Sequence, residues 1–241
     1  MKTFFCWLLM ATVSCIAFAQ ETISKSYPIT AGQTVNFDFD FPKTIRVSNW
    51  DKKEIAVVAM VKVDGVAAAD VFSLIESESK DQISIKNKLE MAKIPQRFYA
   101  FESGVKNTFN TKEEMNAFMK EKGKTITSNY QSQNIEISIE IKLPANTKTN
   151  LSSTYGIVEL VDFEGPIKID ATYGGIDAKL QEKVVGSLKM TNRFGKIYTD
   201  FNFKPEEIKE QRFFTSINAN PGKGANYDFS SSYGHIYLRK P

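Results

Sequence analysis

The sequence predicts an all-β protein: a β-solenoid-like array of short strands with glycine corners, carrying one or two short helices in an insertion. A two-sheet β-sandwich is the alternative arrangement of the same strands. Two observations lead there. A four-residue pattern returns as Ser153-Thr154-Tyr155-Gly156, Ala171-Thr172-Tyr173-Gly174, Asn192-Arg193-Phe194-Gly195 and Ser231-Ser232-Tyr233-Gly234. Apolar residues flank each copy with the period of two that marks a strand with one buried face.

Alignment on the glycines gives columns. Two residues after each glycine stand Val158, Ile176, Ile197 and Ile236, and four after stand Leu160, Ala178, Thr199 and Leu238. Before it, Leu151, Ile169, Met190 and Phe229 fall at minus five, and Thr149, Ile167, Leu188 and Tyr227 at minus seven. The parity of the buried positions changes across the aromatic-glycine step, so the chain bends there, and glycine tolerates the dihedrals of a corner. The first three glycines are 18 and 21 residues apart. A unit of about 20 residues cannot bury its own apolar face, so neighbouring units are expected to cover one another. The 39 residues from Gly195 to Gly234 leave room for a degenerate copy around Phe213 to Ala219.

The chain has 241 residues, 42% of them hydrophobic, enough for one sizeable core. Lys2, the apolar run Phe4 to Ile16 and Ala17-Phe18-Ala19 before Gln20 have the form of a secretory signal. The expectation is a signal peptide over 1–19, cleavage near Gln20 and a single all-β repeat domain over 20–241 in the secreted or periplasmic compartment. The competing signal reading is a lipoprotein anchored at Cys15, after Val13-Ser14. Both cysteines, Cys6 and Cys15, fall in this segment, so residues 20–241 hold no thiol for a disulfide, a nucleophile or a metal. The formal charge of +3 falls to +2 without Lys2, and the signs are interspersed, which does not suit nucleic acid. No second long apolar stretch follows, so no transmembrane segment is expected after the signal.

From Thr22 to Val63 the chain is strand-like. Phe37, Phe39 and Phe41 alternate with Asp38 and Asp40, Ile45 and Val47 resume after Pro42, and Asn49 to Lys52 turns the chain before Ile55 to Val63. Asp38 and Asp40 share a strand face, a pair too small for calcium and expected to be solvated. Ala68, Val71, Phe72 and Ile75 have helical spacing, so a short amphipathic helix is expected over Ala67 to Ile75. A strand follows from Gln82 to Lys88. Residues 91–133 form a polar, aromatic-studded insertion. In it, Thr111 and Glu114 match a capping box and Met115, Phe118 and Met119 form an apolar stripe, which predicts a helix over Lys112 to Glu121. Ile135, Ile137, Ile139, Ile141 and Leu143 alternate up to Pro144, the strongest strand signal in the chain. Lys204-Pro205-Glu206-Glu207 suits a short helix with proline in its first turn. Strands close the chain over Tyr227 to Ser232 and His235 to Arg239.

The Trp-Asp turn between the strands at Ile45 to Val63, the isoleucine-rich strand ending at Leu143-Pro144 and the Tyr-Gly repeats after it resemble the bacterial putative-adhesin family, a cell-envelope domain of unknown function. The resemblance implies a secreted, β-solenoid-like domain, and brings no catalytic or binding residues with it. Residues 93–133 depart from that family's compact pattern.

The chemistry supports binding over catalysis. His235 is the only histidine, in a slot shared with Ile157, Gly175 and Lys196, which reads as a solvated turn. Triads and zinc-hydrolase sets therefore lack residues. Stacked units would bring Glu159 and Asp177 together on an outer face, and Asp170, Arg193 and Lys196 could line a lyase-like groove, so a carbohydrate-active enzyme is the alternative function. The aromatic column Tyr155, Tyr173, Phe194 and Tyr233 has the parity of the inward row and is expected to pack inside beside the corners. Surface contact is expected instead from Tyr198 and Tyr237 on the opposite parity, and from Phe98, Tyr99 and Phe101 in the insertion. The reading is a non-enzymatic envelope interaction module without cofactor, taking a glycan or an envelope protein as partner.

Overall fold

The computed structural model describes residues 22–241, so the signal segment, Gln20 and both cysteines lie outside the described residues. In chain order the strands are β1 (Thr22–Pro28), β2 (Thr34–Phe39), β3 (Thr44–Trp50), β4 (Glu54–Val63), β5 (Val66–Ala67), β6 (Phe72–Glu78) and β7 (Gln82–Leu89). Residues 91–133 supply β8 (Gln96–Glu102), β9 (Val105–Phe109), helix α1 (Lys112–Lys122) and β10 (Ile126–Gln133). There follow β11 (Ile135–Pro144), β12 (Lys148–Tyr155), β13 (Ile157–Val161), β14 (Ile167–Tyr173), β15 (Ile176–Lys179), β16 (Val185–Arg193) and β17 (Ile197–Thr199). The chain closes with β18 (Glu207–Gln211), β19 (Phe214–Ala219), β20 (Ala225–Ser231) and β21 (Ile236–Arg239).

Two large open sheets enclose one core. The front sheet runs β1-β4-β11-β3-β13-β15-β21-β17, with β5 beside β4, and the back sheet runs β18-β19-β16-β20-β14-β12-β2-β7-β6. The protein is therefore all-β, and the two-sheet alternative fits its strand order. Five units each place one strand in the back sheet and, after a corner, one in the front: β2/β3, β12/β13, β14/β15, β20/β21 and β16/β17. Their pairing is parallel and keeps the sequence columns aligned, for example Leu151↔Ile169 in the back and Val158↔Ile176 in the front, with one register shift at Val185 to Ser187 of β16. The columns read from the sequence are the core: Val158, Leu160, Ile176, Ala178, Ile236 and Leu238 face Ile167, Ile169, Leu188, Met190, Tyr227 and Phe229, all buried. Each of the buried Val, Leu, Ile, Met and Phe side chains stabilises the fold by about 1.5–3 kcal/mol relative to exposure.

The spatial order of the units is not the chain order. The last unit, β20/β21, stands between the second and third glycine copies. The stretch around Phe213 to Ala219 is not a further copy. It is the antiparallel hairpin β18–β19 on the edge of the back sheet.

Three local expectations fare differently. The capping box at Thr111 and Glu114 forms and starts α1. The helix expected over Ala67 to Ile75 is a single 3-10 turn, Ala69–Val71, followed by β6, because Phe72 and Leu74 alternate into the core and pair with β7. The helix expected at Lys204 to Glu207 is absent: Glu206 donates its amide to Asn218, and β18 follows as an edge strand.

Residues 91–133 build the small sheet β10-β8-β9, with Phe98, Ala100 and Met115 as a separate buried cluster under α1. Arg97 joins it to the end of β4 through Asp64, at 2.7 Å.

Candidate functional site: an exposed ladder of aromatic rings

At every corner the chain passes from back sheet to front sheet, and successive corners lie on top of one another. The glycines are required there mainly by closeness. A β-carbon on Gly174 would overlap the carbonyl of Gly156, one on Gly234 that of Gly174, and one on Gly195 that of Gly234. Only Gly156 of the four has positive φ, at 81°. The general expectation that corner dihedrals select glycine is thus replaced by a steric reason at the other three copies.

In three of the four copies the residue three before the glycine is polar, points inward and serves this backbone; the fourth has Ala171 there. Ser231 Oγ donates to the Gly174 carbonyl at 2.9 Å and accepts from the Gly234 amide at 3.1 Å. Asn192 Nδ2 donates to the Gly234 carbonyl at 2.7 Å, and Ser153 Oγ to the Tyr155 carbonyl at 2.6 Å. All three side chains are buried, so these bonds hold the corner in a place water does not reach.

With the corner backbones touching, the aromatic residue before each glycine is carried past the end of the core. This overturns the inward placement expected for the column: Tyr155, Tyr173, Phe194 and Tyr233 are 42%, 54%, 56% and 55% exposed. Their parity is that of the buried row, but the facing sheet no longer reaches them. They stack instead on each other. Two rings that the repeat pattern does not mark extend the column, Phe41 from the β2/β3 corner and Phe213 from the β18–β19 turn. The order is Phe41, Tyr155, Tyr173, Tyr233, Phe194, Phe213, with centroids 5.3, 5.2, 5.1, 5.1 and 5.3 Å apart. Interplanar angles fall to 9° and 6° around Tyr233. At strand spacing, six rings span about 24 Å. Phe41 is signalled by its alternation with Phe37 and Phe39 but has Pro42 where the copies have glycine; Phe213, expected as part of a degenerate copy, enters the row from a hairpin turn instead.

Because each ring face is covered by its neighbour, the ladder presents ring edges along its length and the hydroxyls of Tyr155, Tyr173 and Tyr233 in its middle. At the ends of the row Phe41 stacks on Tyr155 alone, and the Arg212 guanidinium lies over Phe213 at 4.9 Å. Phe41 and Phe194 hold φ of 64° and 57°, a left-handed conformation that bulky residues rarely adopt.

Tyr198 and Tyr237 form a second, two-ring stack at 5.0 Å on the outer front sheet, with His235 edge-on to both. His235 Nδ1 accepts from the Lys196 amide at 3.0 Å. In the insertion, Phe98 lies in the cluster under α1, and Tyr99 is buried between Tyr130 at 4.7 Å and the Lys106 ammonium at 4.0 Å. Phe101 is half-buried against Tyr130, which is 41% exposed. The ladder, rather than these residues, is the largest exposed aromatic surface among the described residues.

Of the carboxylates weighed for catalysis or calcium, Asp177, Asp170 and Asp38 are each paired with a cation. Glu159 and Asp177 are cross-strand neighbours, but Asp177 is held by both arms of the Arg239 guanidinium. Asp170 pairs with Lys168 at 3.2 Å, and Asp38 with Lys86 at 2.9 Å. Carboxyl pKa values that move among the described residues move down: Glu90 beside Lys88, Glu182 through the Asn202 amide and then Lys240, and Glu207 beside Lys209. A general acid needs the opposite shift. Among the described residues no three His, Cys, Asp or Glu side chains gather as a metal site, and no helix is long and apolar enough to cross a membrane.

No protein-family model matches this chain, and no curated protein matches it. Two solved structures are similar to it. One is a putative cell adhesion protein from Clostridium sporogenes ATCC 15579, 7% identical, covering 92% of this chain and 100% of that one at a TM-score of 0.46. The other is a putative adhesin from Bacteroides fragilis NCTC 9343, 9% identical, covering 92% and 98% at a TM-score of 0.24. Likeness at this level carries no argument about this chain.

Proposed function

We propose that this chain is a non-enzymatic interaction module of the cell envelope, an adhesin-like protein exported by its N-terminal signal and folded as a solenoid-like stack of corner units with the insertion at 91–133 on one side. The observation that carries the reading is the exposed ladder. Six large rings kept at the surface in one row form a contiguous apolar ridge, and such ridges mark contact surfaces. Two of the rings are held on left-handed backbone, a cost of about 1–3 kcal/mol each that a purely structural stack does not require.

The ladder geometry favours a protein partner. Sugar rings pack on aromatic faces, and here the faces are closed along the row. Ring edges and phenol hydroxyls suit the side chains and backbone of a protein surface. The test is retention of the purified protein on separated envelope proteins and on a glycan array, compared with the Tyr173→Ser/Tyr233→Ser variant. Binding to either that falls with the double variant supports the function, and binding to proteins supports the partner class. A folded wild-type protein retained by neither counts against it.

A further inference from the structure

The two sheets do not end together. Along its path the front sheet has eight strands and the back sheet nine. Beyond the β16/β17 unit the back sheet continues with β19 and β18, and the front sheet stops at β17. The core-facing row of the back sheet runs on regardless: Met190 pairs with Ile217, and Ile217 with Ile208. Met190 is buried, Ile217 half-buried and Ile208 is 56% exposed. The connection after β17 covers the far end of this face with Phe201 and Phe203, which pack on the core. The near end stays open as a slot of about 780 Å³ between Lys196 and Ile197 on one wall and Ile208, Arg212 and Ile217 on the other.

The wall at β17 is a strand edge. Its pairing to β21 uses the Lys196 carbonyl and the Asp200 amide. By the alternation of a parallel ladder, the backbone groups of Ile197 and Thr199 then point the other way, into the slot. An edge of this kind, beside an uncovered apolar row, is the geometry that receives an added strand.

We infer that this slot binds a single extended peptide segment of a partner protein, which adds to β17 as the missing front-sheet strand. Its inward side chains are apolar and lie on Ile217 and Ile208. Its flanks are acidic, because Lys196 and Arg212 at the mouth have no carboxylate partner among the described residues and outnumber Glu210 in the lining. The occupant is one strand rather than the edge of a second copy. End-to-end stacking would set eight front strands against nine back strands, so both sheets could not continue together. Lys25, which points inward from the opposite front edge to the Leu74 carbonyl and Glu76, also blunts that edge against pairing.

The experiment uses fluorescence anisotropy with a labelled peptide of alternating valine and threonine flanked by aspartates, and the same peptide with a central proline as control. Saturable binding of the first and not the second is expected. Thr199→Pro removes an outward amide without touching the β21 pairing, and should weaken binding about tenfold or more, the scale of one or two lost hydrogen bonds. Lys196→Glu/Arg212→Glu, on the surface, should weaken it similarly and serves if Thr199→Pro lowers the melting temperature. Tyr173→Ser should leave it unchanged, which separates this site from the ladder. Absence of saturable binding up to about 1 mM, where affinity is at the weak limit of recognition, overturns the proposal. So does binding indifferent to both slot variants, or sedimentation showing that copies of the chain pair through this edge.

Discussion

Gly174 packs so closely on Gly156 that its α-carbon has no room for a side chain: a β-carbon would overlap the Gly156 carbonyl oxygen and carbon. The neighbour is backbone in a parallel ladder and cannot move aside without breaking the pairing of β12 with β14. Gly174→Ala should therefore destabilise the protein by about 3 kcal/mol or more, at the upper end for overpacking, as read from the urea midpoint. Gly104→Ala, at a turn with open space but a φ of 87°, should cost less, about 1 kcal/mol.

The ladder should contribute to stability as well as to binding, and unequally along its length. Tyr173 stacks on both Tyr155 and Tyr233, whereas Phe41 stacks on Tyr155 alone. Tyr173→Ala should cost about 1–3 kcal/mol and Phe41→Ala about half of that, measured by chemical denaturation. Equal losses would mean that the rings act singly and not as a stack.

Two tyrosines inside the sandwich should behave oppositely when cut to phenylalanine. Tyr227 donates its hydroxyl to the Phe163 carbonyl at 2.7 Å, so Tyr227→Phe leaves a buried acceptor unpaired and should cost about 1 kcal/mol. The Tyr27 hydroxyl is buried with no hydrogen-bond partner among the described residues, so Tyr27→Phe should be neutral or stabilising by about 0.5 kcal/mol.

The same two phenols set an alkaline limit. Burial pushes both pKa values up to about 12, with Glu76 adding to the effect at Tyr27. An unfolded tyrosine ionises near 10, so the fold favours the protonated form. The stability from this preference is complete below pH 10 and is lost as pH rises toward 12. The urea midpoint should fall across that window, and the fall should be smaller in the Tyr27→Phe/Tyr227→Phe variant.

The insertion should loosen on its own. Thr111→Ala removes the bond to the Glu114 amide that starts α1 and should cost about 1 kcal/mol. Because Met115 belongs to a cluster separate from the main core, faster amide exchange should appear in α1 and β8 and leave β11 and β14 unchanged.

The core was legible in the sequence because it depends on local alternation. Val158, Ile176 and Ile236 report their own burial by standing at fixed offsets from a glycine. The exposure of Tyr155, Tyr173, Phe194 and Tyr233 was not legible, since parity gives the direction of a side chain but not where the facing sheet ends. Phe213 entered the ladder through a hairpin whose register no repeat encodes. Ala68, Val71, Phe72 and Ile75 fit helical spacing while Phe72 and Leu74 fit a strand, and only the partner β7 decides between them. The slot beside β17 was beyond reach for a similar reason: an unpaired edge is a property of strand order, and strand order here departs from chain order.

That departure also governs when the protein can close. β16 leaves the growing chain with no neighbour on its β20 side, and the place is filled only by Ala225–Ser231, some thirty residues later. Until those residues arrive, β16 to β19 have no attachment to β14 through the back sheet. The unit that joins the two halves, β20 with β21, thus follows both of them in the chain, so the sandwich behaves like a clasp whose tongue is supplied after the parts it fastens. In a chain exported by the signal we propose, this order would delay closure of the back sheet until β20 has emerged.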